Sequence, residues 1–186
     1  MGNAEIFAIA VGLAMDAFAV SIGIGTTRRA GGTRSIFRLA FHFGFFQFLM
    51  PVLGWGGGSA FANTIAAVDH WLALALLSLV GIRLIRSGLF PQGSKQRPDP
   101  SRGWTLVMLS IAVSIDAFAV GLSLAILKVR IVYPSVIIGL VTGGLSWLGL
   151  AVGHRLGRSF GSRMEIAGGV LLIAMGVRLL VDHLAQ

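Results

Sequence analysis

Two aspartates carry the chemistry that this sequence suggests. Asp16 and Asp116 each open the pentapeptide Asp-Ala-Phe-Ala-Val, at 16–20 and again at 116–120, and each lies inside a long apolar run. Each is about twelve residues into its run, which for a helix is roughly 18 Å deep, near the centre of a bilayer. A charge at that depth costs about 2.5–3.5 kcal/mol on insertion scales. Two such costs in matching places point to a shared task, and the task that suits a pair of carboxylates is holding a cation. Helical spacing puts Gly12, Asp16, Ala19 and Gly23 on one face, and Ala112, Asp116, Ala119 and Ser123 on another. Small neighbours of this kind let helices approach closely.

Neutral oxygens complete the expected set. Gly44, Gln47, Pro51, Gly54 and Gly58 form one helical stripe, and Gly139, Thr142, Ser146, Gly149 and Gly153 form another. Pro51 has no N–H, so the main-chain carbonyl of Gln47 loses its helical partner. Gln47 and its counterpart Thr142 are the candidate neutral ligands. Two carboxylates with amide and hydroxyl oxygens make a hard site, suited to Mg2+, Ca2+ or Mn2+ rather than copper or zinc. Residue chemistry leaves the choice among those three open. Carboxylates also take up protons when a metal leaves, so proton exchange is compatible with the pair.

The elements that must position these residues are membrane helices. Of 186 residues, 55% are hydrophobic and 12% charged, against about 25% charged in soluble domains. The mean hydropathy of +0.86 agrees. The composition predicts an all-α polytopic membrane protein with six spans, at about Ala4–Gly25, Ile36–Gly57, Trp71–Leu89, Trp104–Leu127, Ile131–Val152 and Glu165–Leu184. The whole chain, 1–186, reads as one transport domain. A Pro/Gly/Ser-rich linker over about 91–102 separates a first repeat, about 1–90, from a second, about 103–186.

Net charge of +8 follows the loops. Arg28, Arg29, Arg34 and Arg38 follow the first span; Arg86, Lys95, Arg97 and Arg102 follow the third; Arg155, Arg158 and Arg163 follow the fifth. The positive-inside rule makes these connections cytoplasmic and places both termini outside, with Lys128 and Arg130 a mild violation. No basic stripe with interleaved aromatics suggests nucleic acid, and the absence of cysteine excludes thiolate sites. The N-terminus lacks the basic start of a signal peptide, so the first apolar run is expected to stay as a helix.

The halves repeat. Spans 1 and 4 align at an offset of 100, and spans 2 and 5 at 95, which lays Gly44, Gln47, Gly54 and Gly58 on Gly139, Thr142, Gly149 and Gly153. Spans 3 and 6 align at the same 95, Gly81-Ile-Arg83 on Gly176-Val-Arg178. A unit of three spans must enter the membrane from opposite sides in its two copies, giving two inverted three-helix repeats, an arrangement typical of secondary transporters with a midplane site.

These residues are similar to a known family. The doubled Asp-Ala-Phe-Ala-Val, His42-Phe-Gly44-x-x-Gln47-x-x-Met-Pro51-x-x-Gly54, and Asp69-His-Trp71 followed by Gly81-x-Arg83 resemble the MntP-type manganese efflux pumps of bacteria over nearly the whole chain. The resemblance implies six spans and Mn2+ export across the cytoplasmic (inner) membrane. It also implies that Asp16 and Asp116 are essential, with Gln47 close to the ion. Some members carry an acidic residue where Ser87 stands here, which weakens any acidic entry group at that point.

Other readings weigh less. Asp16 and Asp116 could instead form structural ion pairs with Arg83 or Arg178, but a symmetric pair of buried carboxylates favours binding. The arginines themselves read as structural or interfacial, with a gating ion pair as the functional option. Gln47 is balanced between ligand and interhelical hydrogen bond, and Thr142 between ligand and a bond to its own helix. His42 reads as a packed histidine, and Ser21 and Ser114 as helix packing. An intramembrane aspartyl protease would need a Gly-Asp signature, but Met15 and Ile115 precede the aspartates. The sequence is therefore read as a non-enzyme: an alternating-access exporter of Mn2+, with Mn2+ as cargo, H+ as candidate counter-ion, no resident cofactor and no obligate protein partner. The alternative is an exporter of another divalent cation or a small organic solute.

Overall fold

The computed structural model describes residues 2–27, 32–66, 74, 78, 81–82, 85–86, 89, 101–160 and 162–184. Five continuous helices result: α1 (Asn3–Gly25), α2 (Thr33–Ala66), α3 (Gly103–Ile126), α4 (Val132–Phe160) and α5 (Ser162–Leu184). Between α2 and α3, residues 74, 78, 81, 82, 85, 86 and 89 are helical too. Most of the expected third span, with Asp69, His70, Trp71, Arg83 and Ser87, lies outside the described residues, as does nearly all of the linker at 91–102.

Local chemistry explains the helix ends. The Gly2 N–H donates to the Glu5 carboxylate at 3.0 Å, satisfying a donor that the start of α1 leaves free. At the other end Thr26 and Thr27 each donate a hydroxyl to the carbonyl three residues back, at 2.7 Å. Helix α3 stops where Lys128 takes φ 55°. There Lys128 donates to Ala125 and Val129 to Leu124, both at 3.0 Å, the double hydrogen bond of a Schellman end with lysine in the place usually given to glycine. Pro134 falls in the first turn of α4, where a missing N–H costs nothing.

Four of these helices are long and apolar enough to cross a membrane: Asn3–Gly25, Thr33–Gly57, Gly103–Ile126 and Val132–Gly157. Their ends match the expected spans 1, 2, 4 and 5 closely, but two helices run on. Helix α2 continues to Ala66 and α4 to Phe160, because neither Gly56-Gly57-Gly58 nor His154-Arg155 breaks a helix that is already hydrogen-bonded. The arginines expected in a loop after span 5 therefore sit on helices, Arg155 and Arg158 on α4 and Arg163 on α5, with only position 161 between the two. In α5 the described residues include a shorter apolar stretch, Ile166–Met175.

The surface is as apolar as the core. Phe37, Phe41, Phe45, Trp104, Leu140 and Trp147 are all exposed, as side chains facing lipid should be. Inside, Ala17, Val20, Ile24, Leu39, Phe43, Leu109, Leu150 and Leu172 form one buried cluster.

Glycines set the packing. Helix α1 lies along α4, α2 lies along α3, α2 crosses α4, and α5 rests on α1. A Cβ built at Gly139 would fall 2.9 Å from the Gly44 carbonyl oxygen and 2.8 Å from Phe48 Cβ, and one at Gly44 2.8 Å from the Gly139 carbonyl oxygen. These two glycines are repeat equivalents that meet each other. Other contacts recur under the same offsets: Gly54 meets the Phe118 carbonyl, and Gly149 meets the Phe18 carbonyl. Along the α1–α4 seam, Gly149 meets Phe18 and Ser21, Gly153 meets Ile22, and Gly157 meets Thr26. Both numbers rise together, so α1 and α4 run parallel.

Gly139→Ala should lower stability by about 1–3 kcal/mol through overpacking at the α2–α4 crossing. Gly144→Ala, further along α4, where nothing lies within 4 Å, should be neutral or stabilising by about 0.5–1 kcal/mol. Thermal unfolding in detergent checks both, and equal midpoints would show that the crossing is not tight.

Candidate functional site

Helices α1 and α3 carry Asp16 and Asp116 in their middle turns, and the two helices touch. Both aspartates are partly buried. The Asp16 charge lies within electrostatic range of Asp116 and acts on it. The Asp116 carboxylate accepts the backbone N–H of Ala117 at 2.8 Å. Arg178 on α5 is close enough to Asp16 for its charge to act there as well.

Gln47 ties the pair together. Its side chain is fully buried. Its Nε2 makes two long hydrogen bonds, to the Leu13 carbonyl at 3.5 Å and the Val113 carbonyl at 3.4 Å. Leu13 and Val113 are repeat equivalents, each three residues before an aspartate, so one amide nitrogen straddles both aspartate helices. Gln47 Oε1 is buried and has no hydrogen-bond partner. Thr142, on the facing stripe of α4, is also fully buried, and its Oγ1 has no partner either. Each such orphaned oxygen costs about 1–3 kcal/mol unless something binds it. Gln47 and Thr142 each stand one helical turn past Gly44 and Gly139; because Gly139 meets Phe48 while Gly143 meets Ala40, α2 and α4 run antiparallel and the two residues flank the glycine crossing on opposite sides.

The structure thus brings Gln47 to the helices of Asp16 and Asp116 and places Thr142 on α4, on the other side of the glycine crossing. Two anionic groups with uncommitted neutral oxygens match the donor set of a hard divalent cation. Among the described residues no group of three or more His, Cys, Asp and Glu side chains converges, so nitrogen- or sulfur-rich coordination has no candidate there. His42 is held by its own helix, its Nδ1 2.8 Å from the Arg38 carbonyl, as a packed histidine would be. Ser114 donates to the Ser110 carbonyl at 2.7 Å, in line with a packing role.

Ser21 does not follow that pattern. It is fully buried with no partner on its hydroxyl, and so is Ser146. Ser146 lies on the stripe of Thr142, which is the signal that could have singled it out. Ser21 offered only its small size.

Comparison with known proteins follows the same lines. A protein-family model described as "Putative manganese efflux pump" (Mntp) matches residues 31–180. A protein from Syntrophotalea carbinolica named "Putative manganese efflux pump MntP" is 45% identical over 184 residues, covering 98% of each chain. One of the same name from Nitratidesulfovibrio vulgaris is 48% identical over 186 residues, covering 98% of this chain and 92% of its own. A third, from Desulfitobacterium hafniense, is 43% identical over 184 residues, covering 99% of this chain and 97% of its own. No solved structure matches.

Gln47→Leu removes both the straddling amide and the unpartnered oxygen while keeping the volume. It should weaken Mn2+ binding at least about tenfold, measured by calorimetry on the purified protein. Binding at the wild-type affinity would assign Gln47 to helix packing alone.

Proposed function

The chain belongs to the Mntp family, and from that premise we propose that it exports Mn2+ from the cytoplasm as a secondary transporter, with Asp16 and Asp116 as the anionic ligands. Gln47 and Thr142 complete the coordination with neutral oxygens. The observation that carries this reading is the single buried amide of Gln47 lying across equivalent carbonyls of the two aspartate helices, with its own oxygen uncommitted. A site made of both halves of a repeat is where a rocking motion of one half on the other would change access.

Six spans in two inverted repeats fit the packing. Helix α1 runs parallel to α4, while α3 and α4 are joined by the short connection at 127–131, so equivalent helices α1 and α3 run in opposite senses. Equivalent glycine contacts in the two halves support the same symmetry. The third span completes the first repeat, with Gly81 seated against Gly169 of α5. The basic connections favour an inner-membrane location with both termini outside. A negative interior opposes the exit of a cation, so export needs a driving ion, and exchange for protons at the two carboxylates supplies one.

Arg178 supports a second reading for one residue. Its charge acts on Asp16, which fits an ion pair locking α5 to α1 rather than a ligand. The alternative cargo, another divalent cation or a small organic solute, would use the same geometry.

In cells lacking their own exporter, the wild-type gene should restore growth in high manganese, and Asp16→Ala or Asp116→Ala should abolish the rescue. If Asp16 is only an ion-pair partner, Asp16→Ala will lower the melting temperature yet keep the rescue. In proteoliposomes loaded with a pH dye, Mn2+ flux should move protons the opposite way; flux without proton movement removes the exchange mechanism.

A further inference from the structure

The start of α2 carries a face that the carboxylate site does not use. Arg34, Phe37, Arg38, Phe41 and Phe45 fall on one side of that helix, at spacings of three and four residues. The opposite side carries the buried Phe43 and Gln47. Phe37, Phe41 and Phe45 are all exposed, and their rings form a ladder. The first two stack with centroids 6.1 Å apart and planes 17° from parallel, and the next two with centroids 6.2 Å apart and planes 10° from parallel. From Phe37 to Phe45 the ladder runs about 12 Å along the helix.

A hollow of about 390 Å3 lies at the head of this ladder. That is within the roughly 300–1,000 Å3 of small-molecule pockets. Among the described residues it is lined by Thr33, Arg34, Phe37 and Arg38, and its walls are almost wholly apolar. Phe37 thus belongs to both the hollow and the ladder. Arg34 is exposed, with no hydrogen bond or ion pair among the described residues. Arg38 is partly buried and donates from Nη2 to the Oγ of the fully buried Ser101 at 2.8 Å, which fixes its guanidinium beside the hollow. Positions 28–38 hold four arginines and no acidic residue.

The depth of the hollow follows from the packing. Helices α2 and α3 meet with both numbers rising: Arg38 with Ser101, Gln47 with Val113, and Gly54 with Phe118. They run parallel and begin at the same face of the membrane. Trp104, in the first turn of α3, is exposed, as an aromatic side chain at headgroup level should be. The hollow therefore lies among the headgroups, and the phenylalanine ladder extends from it into the acyl region.

We propose that this face binds one anionic phospholipid, its phosphate held by Arg34 and Arg38 and one acyl chain lying through the hollow and along the rings of Phe37, Phe41 and Phe45. Guanidinium groups match phosphate oxygens in both charge and geometry. Basic pockets beside membrane helices take anionic headgroups for that reason. The apolar walls decide which anion. A free phosphate would meet the charges but gain nothing from the walls or the ladder. A zwitterionic lipid would gain the walls, but its own cation opposes the arginines. The site is separate from the two carboxylates and stands whichever cation they carry.

The test titrates the full chain, purified in detergent, with dioleoylphosphatidylglycerol, dioleoylphosphatidylcholine or inorganic phosphate while thermal unfolding is followed. Phosphatidylglycerol should raise the melting temperature to a plateau, and the other two should not. Arg34→Gln should need at least about fivefold more phosphatidylglycerol to reach half the shift. Phe37→Ala, which opens the hollow without touching a charge, should weaken the response as well. Arg155→Gln removes an exposed arginine on α4 that does not line the hollow, and should match the wild type. Equal shifts from the two lipids would overturn the site, and so would a shift from phosphate as large as that from phosphatidylglycerol. Equal weakening by Arg34→Gln and Arg155→Gln would reduce it to general attraction between a basic protein and an anionic surface, and overturn it too. Should Arg34→Gln fail to fold, Phe37→Ala decides alone: a wild-type midpoint in that variant removes the seated lipid.

Discussion

Two like charges held close together inside a membrane repel each other, and the rest of the molecule is arranged around that repulsion. A buried carboxylate pair is tolerable only with a cation, a proton or strong hydrogen bonding at hand. Among the described residues, the cation that acts on this pair is Arg178, through Asp16. The buried amide of Gln47 is directed at the carbonyls of Leu13 and Val113 rather than at the carboxylates. Among the described residues, the pair's negative charge is thus only partly answered.

Glycine is what keeps that imbalance local. Without the Gly44–Gly139 contact, α2 and α4 would stand further apart, and Gln47 and Thr142 would not flank one close crossing. Without the seams at Gly149, Gly153 and Gly157 on one side and Gly54 and Gly121 on the other, α1 and α3 would not be held where their aspartates interact. Close glycine packing relies on shape and dispersion, and lipid tails give helices no hydrophobic incentive to associate. Interfaces of that kind are held by many small contacts and can slide or part as units.

Much of this arrangement is legible in the sequence. The doubled pentapeptide locates both carboxylates, the offsets of 100 and 95 pair Gln47 with Thr142, and the glycine stripes mark the faces that meet. Those features are legible because a repeat writes the same constraint twice. The overrun of α2 and α4 is not legible, since hydropathy marks where lipid ends and says nothing of where helical hydrogen bonding ends. Nor is the state of individual hydroxyls. Ser21, Ser114 and Ser146 look alike in sequence, and only the packing shows that Ser114 is satisfied by its own helix while the other two are not. The link from Arg178 to Asp16 joins residues far apart in sequence on helices from different halves, and no local pattern announces it.

The symmetry is therefore useful where it breaks. Gly44 and Gly139 keep it, and so do the Gly54–Phe118 and Gly149–Phe18 contacts. These are backbone relations that define the scaffold. Gln47 against Thr142, Pro51 against Ser146, and Gly121 against Ser21 depart from it, and each departure changes which oxygens or which backbone groups the two halves present. A perfectly symmetric pair of halves would present the ion with the same environment from both sides of the membrane. Chemical difference between the two halves removes that equality. The shared contacts set how the helices pack, and the broken positions are where the two halves differ chemically.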